Sequence, residues 1–296
     1  MIKKYEIKCG ENKIYIMDYL SETLGFSTRQ SKKLLKDKKV LINRKAAYRD
    51  NRLKTGDILE IDLSEEARED IAPEAIELSV IYEDDYILAV NKPPYMLVHP
   101  TPNHPSGTLL NAAAYYYNSK GEEPALRLLN RLDMNTSGIV VLPKSAEVHR
   151  ILDEGMKDGS IKKYYTAVIE GILKPENGRI DLPIGKNEAD PIRRMVSESG
   201  QPAVTVYETV KRSKDCSLVR LELLTGRTHQ IRVHLSHLGC PIIGDTLYGK
   251  ESLLIGRQAL HATDLELPHP KGSAILKLHA ELPQDIVKLL PRLELE

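Results

Sequence analysis

Along the chain, apolar positions recur first with the spacing of helices and then with that of strands. Ile14, Met17, Leu20 and Leu24 fall three or four residues apart, the period of one helix face. Ser27 or Thr28 can cap a second helix that carries Leu34 and Leu35. Two short β runs follow, Val40-Leu41-Ile42 and Ile58-Leu59-Glu60-Ile61, with Thr55-Gly56-Asp57 as the turn before the second. The pattern predicts a small α/β domain over residues 1–63. Residues 64–79 are rich in Glu, Asp and Ala, contain Pro73 and keep no apolar period, so a linker is expected there.

From residue 80 onward, strands and helices alternate irregularly. Strands are expected near 86–90, 138–142, 164–169, 204–209 and 217–224, and helices near 108–118, 146–157 and 229–237. There is no βαβ repeat. The expected class is therefore α+β, with a mixed, largely antiparallel sheet flanked by helices over residues 80–296.

A chain of 296 residues is long enough for a large and a small domain, each with its own core. Lys plus Arg equal Asp plus Glu at 42 each, so net charge alone says nothing about nucleic acid. The distribution says more. Arg29, Lys32, Lys33, Lys36, Lys38, Lys39, Arg44, Lys45, Arg49, Arg52 and Lys54 crowd residues 28–54 against only Asp37 and Asp50. Arg29, Lys32, Lys33 and Lys36 share one broad helix face. A single basic helix is usually a solvated surface, but continuation of the run through Arg44 and beyond favours a phosphate-binding surface. Cys9, Cys216 and Cys240 include no Cys-x-x-Cys pair, which fits a reducing cytoplasm better than a disulfide or zinc scaffold. No apolar run approaches bilayer length, so a soluble, unexported protein with no membrane association is expected, with a monomer as the default state.

Four stretches carry candidate chemistry. In Arg131-Leu132-Asp133-Met134-Asn135-Thr136-Ser137-Gly138, a carboxylate lies in a polar loop just before the apolar run Ile139-Val140-Val141-Leu142. Alone, such a loop is more often a turn bonded to itself. A second stretch ends a buried strand at Asn91-Lys92-Pro93-Pro94, and a third, Lys163-Tyr164-Tyr165-Thr166-Ala167, alternates two faces. The fourth is the densest, Thr225-Gly226-Arg227-Thr228-His229-Gln230-Ile231-Arg232. There Thr228 can cap a helix and leave Arg227 near an anion-favouring helix start. His229, His234 and His237 are close in sequence, but no neighbouring carboxylate completes a metal site, and hydrogen-bonded histidines are the better reading. With no P-loop and no dinucleotide glycine fingerprint, no cofactor is expected.

Together these stretches resemble the RluA/RluD family of RNA pseudouridine synthases, from about Tyr82 to Leu282. The family's His-Arg-Leu-Asp motif matches Arg131, Leu132 and Asp133, with Asn130 where His is usual. Its Lys-x-Tyr-x-Ala strand matches Lys163, Tyr165 and Ala167, and its Thr-Gly-Arg-x-His-Gln-x-Arg motif matches Thr225 through Arg232. Smaller matches include Asn91-Lys92-Pro93, Gly244-Asp245-x-x-Tyr248-Gly249 and Leu260-His261-Ala262. The resemblance implies isomerisation of uridine within RNA, with Asp133 as the essential carboxylate, acting as nucleophile or as acid/base. It implies that Arg232 pairs with that aspartate and that Tyr165 packs on the target base. Arg131 would hold the nucleotide out of its stack. Lys92, Arg227, His229, Gln230 and Ile231 are the further substrate-site candidates, with Leu223 an alternative to Ile231 in lining the pocket.

The basic segment resembles an S4 domain, a small RNA-binding module, although Arg44 stands where that family has glycine after Asn43. Its RNA-binding candidates are Arg29, Lys32, Lys33, Lys36 and Arg44. An S4-bearing member points to large-subunit ribosomal RNA as partner, with tRNA as the alternative. Two rivals come from other classes. A non-catalytic RNA-binding paralogue is disfavoured by the intact Asp133, Tyr165 and Arg232. A glycoside hydrolase would need a second placed carboxylate, which the matched motifs lack.

Overall fold

The computed structural model describes residues 2–8, 13–62, 71–124, 126–272 and 274–295, the side chain of Arg29 excepted. The chain divides into two compact units, residues 1–66 and 67–296.

In the first unit, β1 (Ile2–Glu6), β2 (Val40–Ile42), β3 (Lys45–Ala46) and β4 (Ile58–Asp62) form an antiparallel sheet in the order β1-β4-β2-β3. A short helix α1 (Ile16–Asp18) widens into a π turn at Tyr19–Thr23, and α2 spans Thr28–Lys36. Ser27 rather than Thr28 caps α2. Its hydroxyl accepts from the Gln30 amide at 3.2 Å while Gln30 Oε1 accepts from the Ser27 amide at 2.9 Å, a reciprocal capping box. Ile16, Leu20, Val40, Leu53, Leu59 and Ile61 are fully enclosed between helices and sheet. The β2–β3 turn places both Asn43 (φ 50) and Arg44 (φ 66) in the left-handed region, the twist a two-residue hairpin needs. Asn43 holds it by donating to Asp57 at 2.7 Å and accepting the Ile58 amide at 2.9 Å.

The C-terminal part of the stretch expected as a linker packs on the second unit. Residues 63–70 lie outside the described part, but Ile71 is buried in the second unit's core. Asn111 donates to the Ala72 carbonyl at 2.8 Å, and Glu74 accepts the Gly107 amide at 3.0 Å. Specific pairing of polar groups, invisible to hydropathy, fastens this stretch.

The second unit contains β5 (Val80–Glu83), β6 (Ile87–Lys92), β7 (Ser137–Pro143), β8 (Lys162–Glu170), β9 (Asn177–Asp181), β10 (Ile184–Lys186), β11 (Arg194–Val196), β12 (Val204–Arg212), β13 (Cys216–Leu223), β14 (Leu260–Pro268) and β15 (Ile275–His279). Its helices are α3 (Leu109–Ser119), α4 (Ala146–Asp158), α5 (Gln230–His237) and α6 (Gln284–Arg292). The main sheet runs β5-β6-β7-β14-β8-β13-β12-β9, with β15 on β14, while β10 and β11 form a separate hairpin. All of its pairings are antiparallel except β7 with β14. This is the mixed, largely antiparallel α+β architecture expected. Alternate residues enter different layers: Leu88, Val90, Val140 and Leu142 join the core under α3, α5 and α6, whereas Ile87, Ala89, Ile139 and Val141 pack with Val148 and Leu152 of α4. Burial on both faces explains the unbroken apolar runs of β6 and β7, each enclosed Ile or Leu contributing about 1.5–3 kcal/mol.

Candidate active site

The loop before β7 is a true turn, closed by the Thr136 amide on the Asp133 carbonyl at 3.0 Å. It leaves the Asp133 carboxylate free of its own backbone. Three buried side chains fix the turn from behind. The Lys92 ammonium donates to the carbonyls of Pro93, Met96 and Met134 at 2.7, 2.9 and 3.1 Å. Arg257 grips Asp285 through two nitrogens, at 2.6 and 3.0 Å, and reaches the Asn135 carbonyl at 3.1 Å and Ser137 Oγ at 3.2 Å. Gln258 donates to Thr136 Oγ1 at 3.2 Å. Gly138 (φ 117) opens β7 directly against the β14 backbone, where any Cβ would collide with Ala262. Asn130, at the place of the family's histidine, braces the same strand: its amide donates to the Ile139 carbonyl at 2.9 Å and accepts the Val141 amide at 3.0 Å. An Asn side chain does this as a peptide group would, donating and accepting at once.

Opposite the turn, α5 presents Arg232. Its Nη1 meets Asp133 Oδ2 at 2.8 Å, and its Nε and Nη2 hold the fully buried carboxylate of Asp245 at 2.7 and 2.8 Å. Burial disfavours the guanidinium charge, but the hydrogen bonds and charge of Asp245 and Asp133 outweigh it and raise the Arg232 pKa. Asp245 is itself set by the amides of Leu247 and Tyr248 at 3.0 and 3.2 Å. The Tyr248 ring lies 5.1 Å from the Arg232 guanidinium, and its hydroxyl accepts the Arg194 amide at 2.8 Å and is hydrogen-bonded to His229 Nδ1 at 2.8 Å. His229 Nε2 lies 3.9 Å from Asp133 Oδ1. Burial, helped by Arg232 and Arg194 and opposed by Asp133, lowers the His229 pKa.

Tyr165 reaches the same place from β8, pairing with Ala262, which in turn pairs with Gly138. Two strand spacings, about 10 Å, thus separate the Tyr165 backbone from the start of β7. Burial and then the Asp133 charge push the Tyr165 phenol above its ordinary pKa, so the ring stays uncharged. Its hydroxyl makes no hydrogen bond among the described residues and is not one of the enclosed unpaired atoms. Leu132, Leu223 and Ile231 are buried in the same apolar layer. Arg131, Met134 and Arg227 are exposed, with Arg227 Nε on the Pro202 carbonyl at 3.0 Å.

The sequence candidates therefore separate into two groups. Asp133, Arg232, Tyr165 and His229 converge, and Arg131 is carried next to Asp133 in the same exposed loop. Lys92 and Gln230 do not face outward. Lys92 spends all three donors on carbonyls, and burial, aided by Arg257 and opposed by Asp133, lowers its pKa to about 7. Gln230 accepts from Arg227 N and Thr225 Oγ1 at 3.0 and 2.8 Å and donates to Val204 O and Thr205 Oγ1 at 2.9 and 3.0 Å. It ties the loop before α5 to β12. Thr228 does not cap α5 as expected: His229, at φ 59, precedes the helix, because this network bends the chain one residue later. His234 is engaged by Thr205 Oγ1 at 2.9 Å and the Leu182 carbonyl at 3.0 Å. Among the described residues, no group of three or more His, Cys, Asp or Glu side chains could hold a metal ion. Asp245, Tyr248, Arg257 and Asp285 were not singled out from sequence; only the Gly-Asp-x-x-Tyr-Gly match bore on the first two. A recess of ≈ 470 Å³ beside Leu173, Arg179, Tyr207 and Cys240 contains none of these groups.

A carboxylate steered by a doubly anchored guanidinium, beside an uncharged aromatic ring, suits chemistry at an electron-poor sugar carbon. Comparison with known proteins agrees. Human RNA pseudouridylate synthase domain containing 4 superposes with a TM-score of 0.61 at 26% identity, over 74% of this chain and 94% of that one. The fold is thus that of a pseudouridylate synthase domain. The profile described as RNA pseudouridylate synthase matches residues 86–237. The uncharacterized RNA pseudouridine synthase YhcT of Bacillus subtilis is 39% identical over 277 residues, covering 92% of each chain. Ribosomal large subunit pseudouridine synthase D of Haemophilus ducreyi is 37% identical over 251 residues, covering 79% of this chain and 77% of the relative. The chain belongs to the RluA/RluD family of RNA pseudouridine synthases, isomerases that convert uridine to pseudouridine in RNA.

Proposed function

We propose that this enzyme isomerises uridines of large-subunit ribosomal RNA, with Asp133 as its essential carboxylate and the first unit as an S4-like RNA-holding module in the cytoplasm. The observation that carries the reading is the Asp133–Arg232–Asp245 chain of charge-assisted bonds, with Tyr165 beside it. In the reaction the N1–C1′ bond breaks, uracil turns, C5 bonds to C1′, and the C5 proton is released while N1 regains one. Attack on C1′ or removal of a ribose proton both require a carboxylate aimed at the sugar, which Arg232 supplies by holding one oxygen and leaving the other open. Tyr165 offers a flat uncharged ring for the uracil, and exposed Arg131 is placed to occupy the space the flipped nucleotide leaves. The relatives named for the ribosomal large subunit support the substrate class. In the first unit, Lys32, Lys36, Tyr48 and Arg49 border a recess of ≈ 230 Å³, and Lys33 and Arg44 are exposed, which suits a phosphate backbone. Arg29 belongs to this group by sequence, its side chain lying outside the described residues.

The test is pseudouridine mapping of ribosomal RNA from cells with and without this protein, repeated with Asp133→Asn. Loss of modification with Asp133→Asn and retained RNA binding are expected; turnover by that variant would overturn the assignment.

A further inference from the structure

One charged group on the active-site face has no partner. Lys163 is only 6% exposed, yet it makes no hydrogen bond or ion pair among the described residues. It precedes Tyr165 by two on β8, so both side chains share a face, with bases about 6.6 Å apart. Its ammonium reaches the rim: it lies 3.8 Å from where a Cβ would stand on exposed Gly226, in the loop leading into α5. A side chain at 226 would cover it. Burial alone lowers the Lys163 pKa, with no carboxylate acting to raise it. A largely buried cation with no carboxylate beside it carries a charge that an arriving anion would match.

We propose that Lys163 binds a backbone phosphate next to the flipped uridine, anchoring the nucleotide at the end of the cleft remote from Asp133. A phosphate fits the observations better than a uracil carbonyl, because the missing element is a full negative charge. The same strand then carries both holds, Tyr165 for the base and Lys163 for the backbone. The inference rests on the proposed substrate class only in the choice of RNA.

The experiment compares wild type, Lys163→Met and Lys163→Arg by thermal unfolding and by pseudouridine formation in a large-subunit ribosomal RNA transcript at several salt concentrations. Lys163→Met should raise the melting temperature by about 3 °C, since it removes an unpaired charge. It should raise KM roughly tenfold, leave kcat within about twofold, and flatten the log–log salt dependence by about one unit; Lys163→Arg should restore the slope. A lowered melting temperature with unchanged salt slope would make Lys163 structural and overturn the proposal. An unchanged slope with reduced kcat would place it on the base or sugar and also overturn it. If wild type itself forms no pseudouridine in this transcript, the substrate reading fails separately. Lys163 is then judged by salt-dependent binding of oligouridylate, where the same loss of about one unit is required.

Discussion

Replacing Asp245 by Asn should damage both stability and catalysis without altering any group that faces the substrate. Asp245 accepts Arg232 Nε at 2.7 Å and Nη2 at 2.8 Å, and its Oδ1 also receives the Leu247 and Tyr248 amides. If the Asn oxygen keeps the Oδ1 position, those amides and Nη2 stay bound, but the new NH2 points at the Arg232 Nε–H, donor against donor. The loss is one charge-assisted bond, worth about 1.5–3 kcal/mol, plus half the compensation of a guanidinium whose side chain is 9% exposed. Breaking one side of such a buried pair costs about 3–5 kcal/mol in total. Arg232 is then free to tilt toward Asp133, and a displacement of the order of 1 Å at a catalytic group costs about 100-fold in rate. Urea unfolding measures the first effect, and tritium release from C5 of labelled uridine in RNA measures the second. The double variant Arg232→Met/Asp245→Asn discriminates further: stability should largely return while activity should not. A single variant that loses under about 1 kcal/mol and turns over normally would refute the anchoring role.

Gly138→Ala should destabilise by at least about 1–3 kcal/mol and abolish activity, because the methyl would force apart the β7 and β14 backbones; denaturation midpoints check it. His261 is enclosed and its pKa lowered to about 4 by burial, aided by Arg257 and opposed by the bond to the Ala280 carbonyl. Its neutral form is the one that folds, so its contribution is complete above the unfolded value near 6.5 and is lost as pH falls toward 4. Wild type should therefore lose about 2 kcal/mol more than His261→Gln between pH 7 and pH 5 in urea titrations. Neutralising Lys32, Lys33 and Lys36 together should weaken RNA binding and flatten its salt dependence with kcat intact; unchanged affinity across salt, measured by anisotropy, would count against the RNA-holding role.

What the sequence exposed was whatever depends on local period or on a contiguous motif. Strands β6 and β7 were readable because both of their faces are buried. Helices α3 and α4 were readable because Thr108 and Ser145 mark their starts. Strand β14 was not, since His261, Thr263 and Asp264 interrupt its apolar residues, and their polarity is satisfied only by distant partners such as Ser137 and His279. Helix α6 was hidden by Pro283 before it and Pro291 in its last turn, both of which read as breakers. In the site, Asp133, Tyr165 and Arg232 stood in recognisable strings. Arg257 is an isolated arginine whose use depends on the fold bringing Asn135, Ser137 and Asp285 around it. The bonds that occupy Lys92 and Gln230 were not legible, because sequence shows which donors a residue owns, not which are already spent.

The position of β14 has a consequence for synthesis of the protein. It is made after both of its neighbours, yet it lies between β7, whose leading loop bears Asp133, and β8, which bears Tyr165. Until β14 leaves the ribosome, the two halves of the sheet have no common strand, and carboxylate and tyrosine cannot be brought into register. A copy in which β14 has not yet been made therefore cannot hold the Asp133 loop and Tyr165 side by side.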